Sequence, residues 1–507
     1  MPDDVETQGV GAPTLDMTPE AFRSVGYHVV DVVADFLAGL RERPVAPAQS
    51  PEAIRAVLGQ RALSEAGGEP AALLDEAAEL LFGYNRLTAH PRHWGYIIGS
   101  AAPIGAFADF LAAAVNTNLA SWYSAAMSTE IEVQAVRWIA ELLGYPADCG
   151  GLFTSGGNMA NFIGFLAARR AKAGPELRAR GMAAAGPLRA YVSEETHTWV
   201  EKAADLFGIG TDAVRWIPTD DRLRIDLAAL ERRITEDKAQ GDKPFLVVGS
   251  AGTVATGAVD PLSEMAALAR AHDMWFHVDG AYGALAIVAA DAPGELAGLT
   301  EADSVAVDPH KWLYTPLEAG CALVRDRQAL YDTFSYRPSY YHHPGSADAE
   351  LVHFYELGPQ NSRCFRALKV WLVLRHIGRA DFARLVAHDL DMARLLYESM
   401  AEAPDIEAVT LGLSIATFRY VPPDLDADAA DHAEYLNRLN TALLERLQRG
   451  GEAYVSNAVA GGRFVLRACI TNFRTTEDDV RALAPIVTRL GRALDQEMRP
   501  AGPGGGV

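Results

Sequence analysis

The first regular pattern along the chain begins at Thr18, a residue able to cap a helix. Ala21, Phe22, Val25, Val29, Val32, Val33, Phe36 and Leu37 follow at spacings that predict an amphipathic helix. Three prolines in 44–51 end it, and two further helices fit 51–58 and 69–83. Residues 1 to about 16 are polar and are expected to be disordered. Between about 100 and 330 the pattern changes. Short apolar, β-rich runs at 189–192, 245–250, 274–278, 304–307 and 321–324 alternate with helical periods such as 261–271. Strands separated by helices predict βαβ units and a mostly parallel sheet covered on both faces. The stretch 333–361 has no clean periodicity, and one of that length inside a compact domain is functional or mobile. Helical spacing returns at 363–377, followed by a C-terminal α/β unit with a strand at 463–470 and a Gly/Pro tail. No internal repeat is visible.

A chain of 507 residues exceeds a single compact core. The pattern divides it into a helical arm (1–95), a large α/β domain (96–380) and a small C-terminal α/β domain (381–507). The arm has little core of its own and needs a neighbour to cover its apolar faces, so a homodimer is expected. Hydrophobic residues make up 49% and charged residues 22%, as in ordinary globular proteins. A net charge of −21 disfavours nucleic acid and anionic membrane as partners. Cys149, Cys321, Cys364 and Cys469 show no CxxC spacing, which argues against a disulfide framework and for a reducing cytoplasm. Asp3, Asp4 and Glu6 stand where a signal peptide needs basic residues. The most apolar stretch, 101–115, is interrupted by Asp109 and too short to span a bilayer.

Four constellations carry candidate chemistry. Asp308-Pro309-His310-Lys311-Trp312 follows the strand-like run 304–307, where desolvation would make an amine nucleophilic toward an aldehyde. A surface lysine is the ordinary alternative. Trp275-Phe276-His277-Val278-Asp279 is an apolar strand ending in an acid, with Gly280 and Ala281 after it. Such an acid could bind Mg²⁺, cap a helix or face the pyridine nitrogen of pyridoxal 5′-phosphate (PLP), and Ala281 is small enough for a ring to lie against it. Thr154-Ser155-Gly156-Gly157-Asn158 opens a helix and could present backbone N–H groups to a phosphate, or be a plain Gly-rich turn. It is neither a Walker A loop nor a G-x-G-x-x-G fingerprint. His197, after the run 189–192, could stack on a cofactor or simply face solvent. No HExxH or other metal-ligand spacing is present, so no metal is expected.

Phosphate loop, stacking histidine, acid and lysine occur in that order, each at the exit of a strand-like run. In this the chain resembles the group II PLP-dependent amino-acid decarboxylases, which include the aromatic-L-amino-acid, glutamate and cysteine-sulfinate enzymes. The resemblance runs from Met17–Phe22 to Leu466–Ile470 and includes the segment Ser362–Lys369. It implies a fold-type-I large domain similar to aspartate aminotransferase, and a homodimer. It implies that Lys311 carries PLP as a Schiff base and that Asp279 keeps the ring nitrogen protonated. Gly157 and Asn158, with Asp308 and His310, would hold the phosphate, His197 would stack on the ring and Ala281 would lie beneath it. A mobile loop at about 333–355 would bring Tyr340 to donate a proton to the substrate Cα, together with His197. Arg467 would meet the substrate α-carboxylate, with Tyr96 beside the substrate. Tyr96-Ile97-Ile98-Gly99 departs from the aromatic and proline residues usual in the aromatic branch, and Asn116-Thr117-Asn118 is closer to the glutamate and sulfinate branch. The N-terminal arm resembles the aromatic branch, which favours an aromatic substrate. Aldehyde synthesis, or an acidic or aliphatic substrate, is the alternative.

Overall fold

The computed structural model describes residues 15–336, 351–427 and 429–499. Tyr340 and most of the 333–355 segment lie outside the described residues. The chain divides into two compact units, Met1–Leu87 and Thr88–Val507.

The first unit carries helices α1 (Pro19–Ala38), α2 (Pro51–Leu58) and α3 (Pro70–Tyr84). Each starts with proline behind a side-chain cap. Thr18, Ser50 and Glu69 accept the N–H groups of Ala21, Ala53 and Ala72 at 3.2, 3.2 and 2.9 Å. Helices α1 and α3 meet through a stacked Phe36–Phe82 pair, with ring centroids 3.9 Å apart, and a 2.6 Å His28–Asp75 contact. None of the three helices contains a buried residue, and Phe22, Tyr27 and Val30 on α1 are exposed.

The second unit opens with α4 (Pro103–Val115) and α5 (Ala126–Leu143). It is organised around a seven-stranded sheet: β1 (Gly150–Thr154), β2 (Leu188–Ser193), β3 (Val214–Ile217), β4 (Lys243–Ser250), β5 (Trp275–Asp279), β6 (Ser304–Val307) and β7 (Gly320–Val324). The spatial order is β1-β7-β6-β5-β4-β2-β3, and β7 runs opposite to the other six. The mostly parallel sheet expected from the βαβ rhythm is therefore present, with β7 as the one reversed strand. Alternate side chains feed two cores. Val247, Phe276 and Val278 enter the cluster on one face, and Leu246, Val248 and Trp275 the cluster on the other. Helix α6 (Gly157–Ala173) leaves β1 and α7 (Trp199–Leu206) follows β2.

Helix α8 (Ala367–Ala401) is broken at Gly378, where φ is 66°. It runs through the position expected to separate a large from a small domain, and both belong to one compact unit. An antiparallel sheet completes that unit: β8 (Ile406–Gly412), β9 (Ile415–Tyr420), β10 (Ser456–Ala460) and β11 (Arg463–Cys469), in the order β10-β11-β9-β8. It packs with α9 (Ala430–Gly450) and α10 (Leu483–Met498). Among the described residues no helix is long and apolar enough to cross a membrane.

Candidate active site

Six strands of the central sheet point the same way, and their carboxyl ends form one rim. Ligands in open α/β sheets bind at such a rim. A cavity of about 630 Å³ lies there and is lined by Gly156, Gly157, Asn158, His197, Asp279, Ala281, Asp308, His310 and Lys311. They arrive by four connections. Gly157 and Asn158 open α6 after β1, and His197 precedes α7 after β2. Asp279 ends β5, and Asp308 to Lys311 form the turn after β6.

The loop after β1 is shaped by the lack of a side chain at Gly157. A Cβ there would fall 2.7 Å from Asp308 Oδ2 and 2.9 Å from the Ala281 methyl. The start of a helix leaves its first N–H groups without intrahelical acceptors, so the α6 terminus offers donors and a positive dipole end to the cavity.

Lys311 Nζ lies 3.0 Å from Asp308 Oδ2, and its side chain is 22% exposed. An ion pair thus stands where the sequence suggested a desolvated amine. His310 donates from Nδ1 to the carbonyl of Ala319 at 2.8 Å, leaving Nε2 3.7 Å from Asp308 Oδ2. Burial lowers the pKa of His310 below the usual histidine range, against the opposing pull of Asp308. His197 accepts the backbone N–H of Trp199 at Nδ1, 3.2 Å away, so the neutral ring carries its proton on Nε2. Burial lowers the pKa of His197, Asp279 opposes the shift and Lys311 adds to it. Asp279 accepts the indole N–H of Trp199 at 2.8 Å and the backbone N–H of Ala281 at 3.2 Å.

Tyr96 and Arg467, expected beside the substrate, are not among the residues lining this cavity. Arg467 is 3% exposed, and its guanidinium donates to Ser456 Oγ at 2.9 Å and to the carbonyl of Tyr96 at 3.0 Å. Tyr96 takes a positive φ of 58°. Arg467 therefore anchors the Tyr96 segment here. Glu195, Ser250 and Thr253 line the cavity without having been singled out from sequence. Their only sequence signal was position, since Ser250 ends β4 and Glu195 and Thr253 follow the ends of β2 and β4. Trp199 also escaped notice, although a large aromatic two residues beyond His197 was visible.

The cavity brings together an amine, a carboxylate fixed by two donors, an imidazole and a helix start whose glycine leaves room for a ligand. That donor set fits PLP: an aldehyde for the amine, a ring nitrogen for the carboxylate and a phosphate for the helix start. With the doubly covered sheet, it defines a fold-type-I PLP enzyme. The model of the pyridoxal-dependent decarboxylase conserved domain matches residues 51–421. The chain is 34% identical over 467 residues to an aromatic-L-amino-acid decarboxylase of Bacillus atrophaeus, covering 92% of this chain and 94% of the relative. It is 28% identical to a phenylacetaldehyde synthase of a Rosa hybrid cultivar, covering 92% and 93% of the two chains. The crystal structure of Oryza sativa TDC with PLP and tryptamine superposes with a TM-score of 0.88 at 27% identity, covering 95% of this chain and all of that one. The chain belongs to the pyridoxal-dependent decarboxylase family and is a PLP-dependent amino-acid decarboxylase, a lyase.

Proposed function

We propose that this chain decarboxylates an aromatic L-amino acid to its amine and CO₂, with the cavity at the sheet rim as the active site. The observation that carries this reading is the convergence of Lys311, Asp279, His197 and the α6 start on one cavity whose wall also includes apolar Ile97, Val254 and Leu317. The identity to an aromatic-L-amino-acid decarboxylase over nearly the whole chain supports the substrate class.

PLP, when bound, supplies the electron sink for the pair left behind by the departing carboxylate. Gly157 and Asn158, with Asp308 and His310, would hold its phosphate. Asp279 would face the ring nitrogen, Ala281 would leave room for the ring and His197 would cover a face. Lys311 would bind the cofactor aldehyde, give way to the substrate amine and return at the end of the cycle. The Nε2 proton of His197 and the phenol of Tyr340 are the proposed sources of the proton delivered to the substrate Cα. Arg467 and Tyr96 would act on the substrate through the position of the Tyr96 segment. A homodimer is the proposed assembly, supported by the exposed apolar side chains Phe22, Tyr27 and Val30 of α1 and Phe107, Phe110 and Leu111 of α4. The proposed location is the cytoplasm, in keeping with four free thiols.

The experiment is incubation of the PLP-loaded protein with each proteinogenic amino acid, measuring CO₂ and amine. Turnover of tryptophan, tyrosine or phenylalanine is expected. Turnover confined to glutamate or an aliphatic amino acid would overturn the substrate assignment. The likeness to a phenylacetaldehyde synthase keeps aldehyde formation as a second reading. Amine with CO₂ and no ammonia or peroxide argues against it.

A further inference from the structure

Behind Asp279 lies a buried polar framework that the reaction itself does not use. Trp199 is fully buried at the first position of α7, and its indole N–H donates to Asp279 Oδ2 at 2.8 Å. The other carboxylate oxygen takes the N–H of Ala281 at 3.2 Å. Each oxygen of Asp279 is therefore tied to one donor of the protein itself.

The indole is held in turn. Its ring stands edge-on to His277, with centroids 5.6 Å apart and an 80° interplanar angle. His277 lies two residues before Asp279 on β5 and so on the same face of the strand. It is fully buried, and burial pushes its pKa down to about 4, so the ring is neutral at ordinary pH. Ser304 Oγ on β6 accepts the indole N–H of Trp275 at 2.8 Å and lies 2.7 Å from His277 Nδ1. Asn161 Oδ1 only accepts, so the neutral ring carries its hydrogen on Nε2 and His277 Nδ1 takes the Ser304 hydroxyl hydrogen. His277 Nε2–H then donates to Asn161 Oδ1 on α6, 2.8 Å away. Helix α6 comes this close because it carries Gly164, where a Cβ would fall 2.6 Å from the His277 ring. The support for Asp279 thus ends on the helix whose first turn forms the Gly157–Asn158 loop.

We infer that Trp199 is a positioning residue: its indole N–H fixes the Asp279 carboxylate toward the ring nitrogen of the cofactor. The inference rests on the proposed role of Asp279. A carboxylate fastened through one oxygen alone retains rotational freedom about its Cβ–Cγ bond, and a charge-assisted hydrogen bond depends on orientation. Removing the indole N–H should therefore weaken the contact with the ring nitrogen and leave the phosphate contacts intact.

The test compares Trp199→Phe with the parent for equilibrium binding of PLP and of a PLP analogue with carbon in place of the ring nitrogen. The analogue presents nothing for Asp279 to hold, so its affinity reports the rest of the site. Trp199→Phe should reduce the preference for PLP over the analogue by about tenfold, on the scale of a hydrogen bond to a charged group. The thermal midpoint of the cofactor-free protein serves as the control for folding. If Phe at this position prevents folding, replacing Trp199 with benzothienylalanine keeps the bicyclic shape, puts sulfur in place of N–H and gives the same readout. Equal losses for PLP and the analogue, or no change in either, would overturn the inference. Asp279→Asn separates the two layers. If that variant keeps the parent preference, the role of Asp279 is wrong. If it loses the preference while Trp199→Phe keeps it, only the role of Trp199 is wrong.

Discussion

The amine of Lys311 and the carboxylate of Asp308 form an ion pair at 3.0 Å across a single turn of chain, with Asp308 almost completely buried. Lys311→Ala should abolish turnover, and borohydride should no longer fix the cofactor to the chain. Binding through Gly157, Asn158 and His310 should persist. The variant also leaves the Asp308 carboxylate without its cation, so the cofactor-free protein should melt at a lower temperature than the parent. Full turnover with a cofactor fixed to another lysine would contradict the assignment.

Gly157→Ala would place a methyl 2.7 Å from Asp308 Oδ2 and 2.9 Å from Ala281. Relieving that crowding means moving the α6 start away from the turn after β6, at a cost of about 1–3 kcal/mol. Affinity for PLP should fall at least tenfold by equilibrium dialysis, while far-ultraviolet circular dichroism stays the same.

Tyr340→Phe removes a phenol whose ordinary pKa is about 10 and which is therefore protonated at neutral pH. PLP and substrate should bind as before, amine formation should slow by about 100-fold or more, and oxygen should divert part of the flux to aldehyde, ammonia and peroxide. Amine and aldehyde measured side by side in air decide it. An unchanged amine rate with no aldehyde would remove Tyr340 from the reaction.

Asp389 is fully buried and accepts the indole N–H of Trp312 at 2.9 Å and the phenol of Tyr314 at 2.7 Å. Burial pushes its pKa up to about 7 against those two donors. Between about pH 4 and pH 7 the folded state holds a proton that the unfolded chain has released. Stability is thus greatest below the unfolded pKa and declines as pH rises through about 7. Asp389→Asn should flatten the fall in thermal midpoint between pH 5 and pH 8. Asp260, raised by burial to about 6, leaves part of the slope in place. An identical slope in the variant would show that Asp389 does not titrate there.

The proposed homodimer predicts a mass in light scattering of twice the 54.5 kDa chain. Deleting residues 1–85 should abolish the soluble dimer. A fully active monomer would contradict it.

Legibility in the sequence followed the range of the forces involved. The cap at Thr18 and the proline after it act within one turn, and helix α1 begins where they place it. Strand β5 was legible because Met274 to Val278 are buried on both faces, so its apolar run is interrupted by His277 alone. Strand β10 was not: Ser456, Asn457, Ala458, Val459 and Ala460 alternate between buried and exposed with small side chains, which resembles a loop. Strand β3 carries Arg215, which pairs with Asp237 and Asp242, and so loses the apolar signature. In the site, the residues at strand exits could be read in order, because a parallel sheet places such exits together. The Trp199–Asp279 bond joins residues 80 positions apart, and the turn of Arg467 toward Tyr96 spans 371, so neither leaves a local pattern.

Among the described residues strand β1 pairs only with β7, and Thr154 at its end lies opposite Gly320. The strand that leads into the phosphate loop is thus made early in synthesis, and its partner emerges from the ribosome more than a hundred residues later. Pairing over so long a separation closes slowly. Until β7 is available, the start of α6 has no β6 turn set opposite it, and the nascent chain has no finished receptor for a cofactor. PLP capture should therefore be a late event in the life of the molecule, and fragments released short of residue 320 should be unable to load.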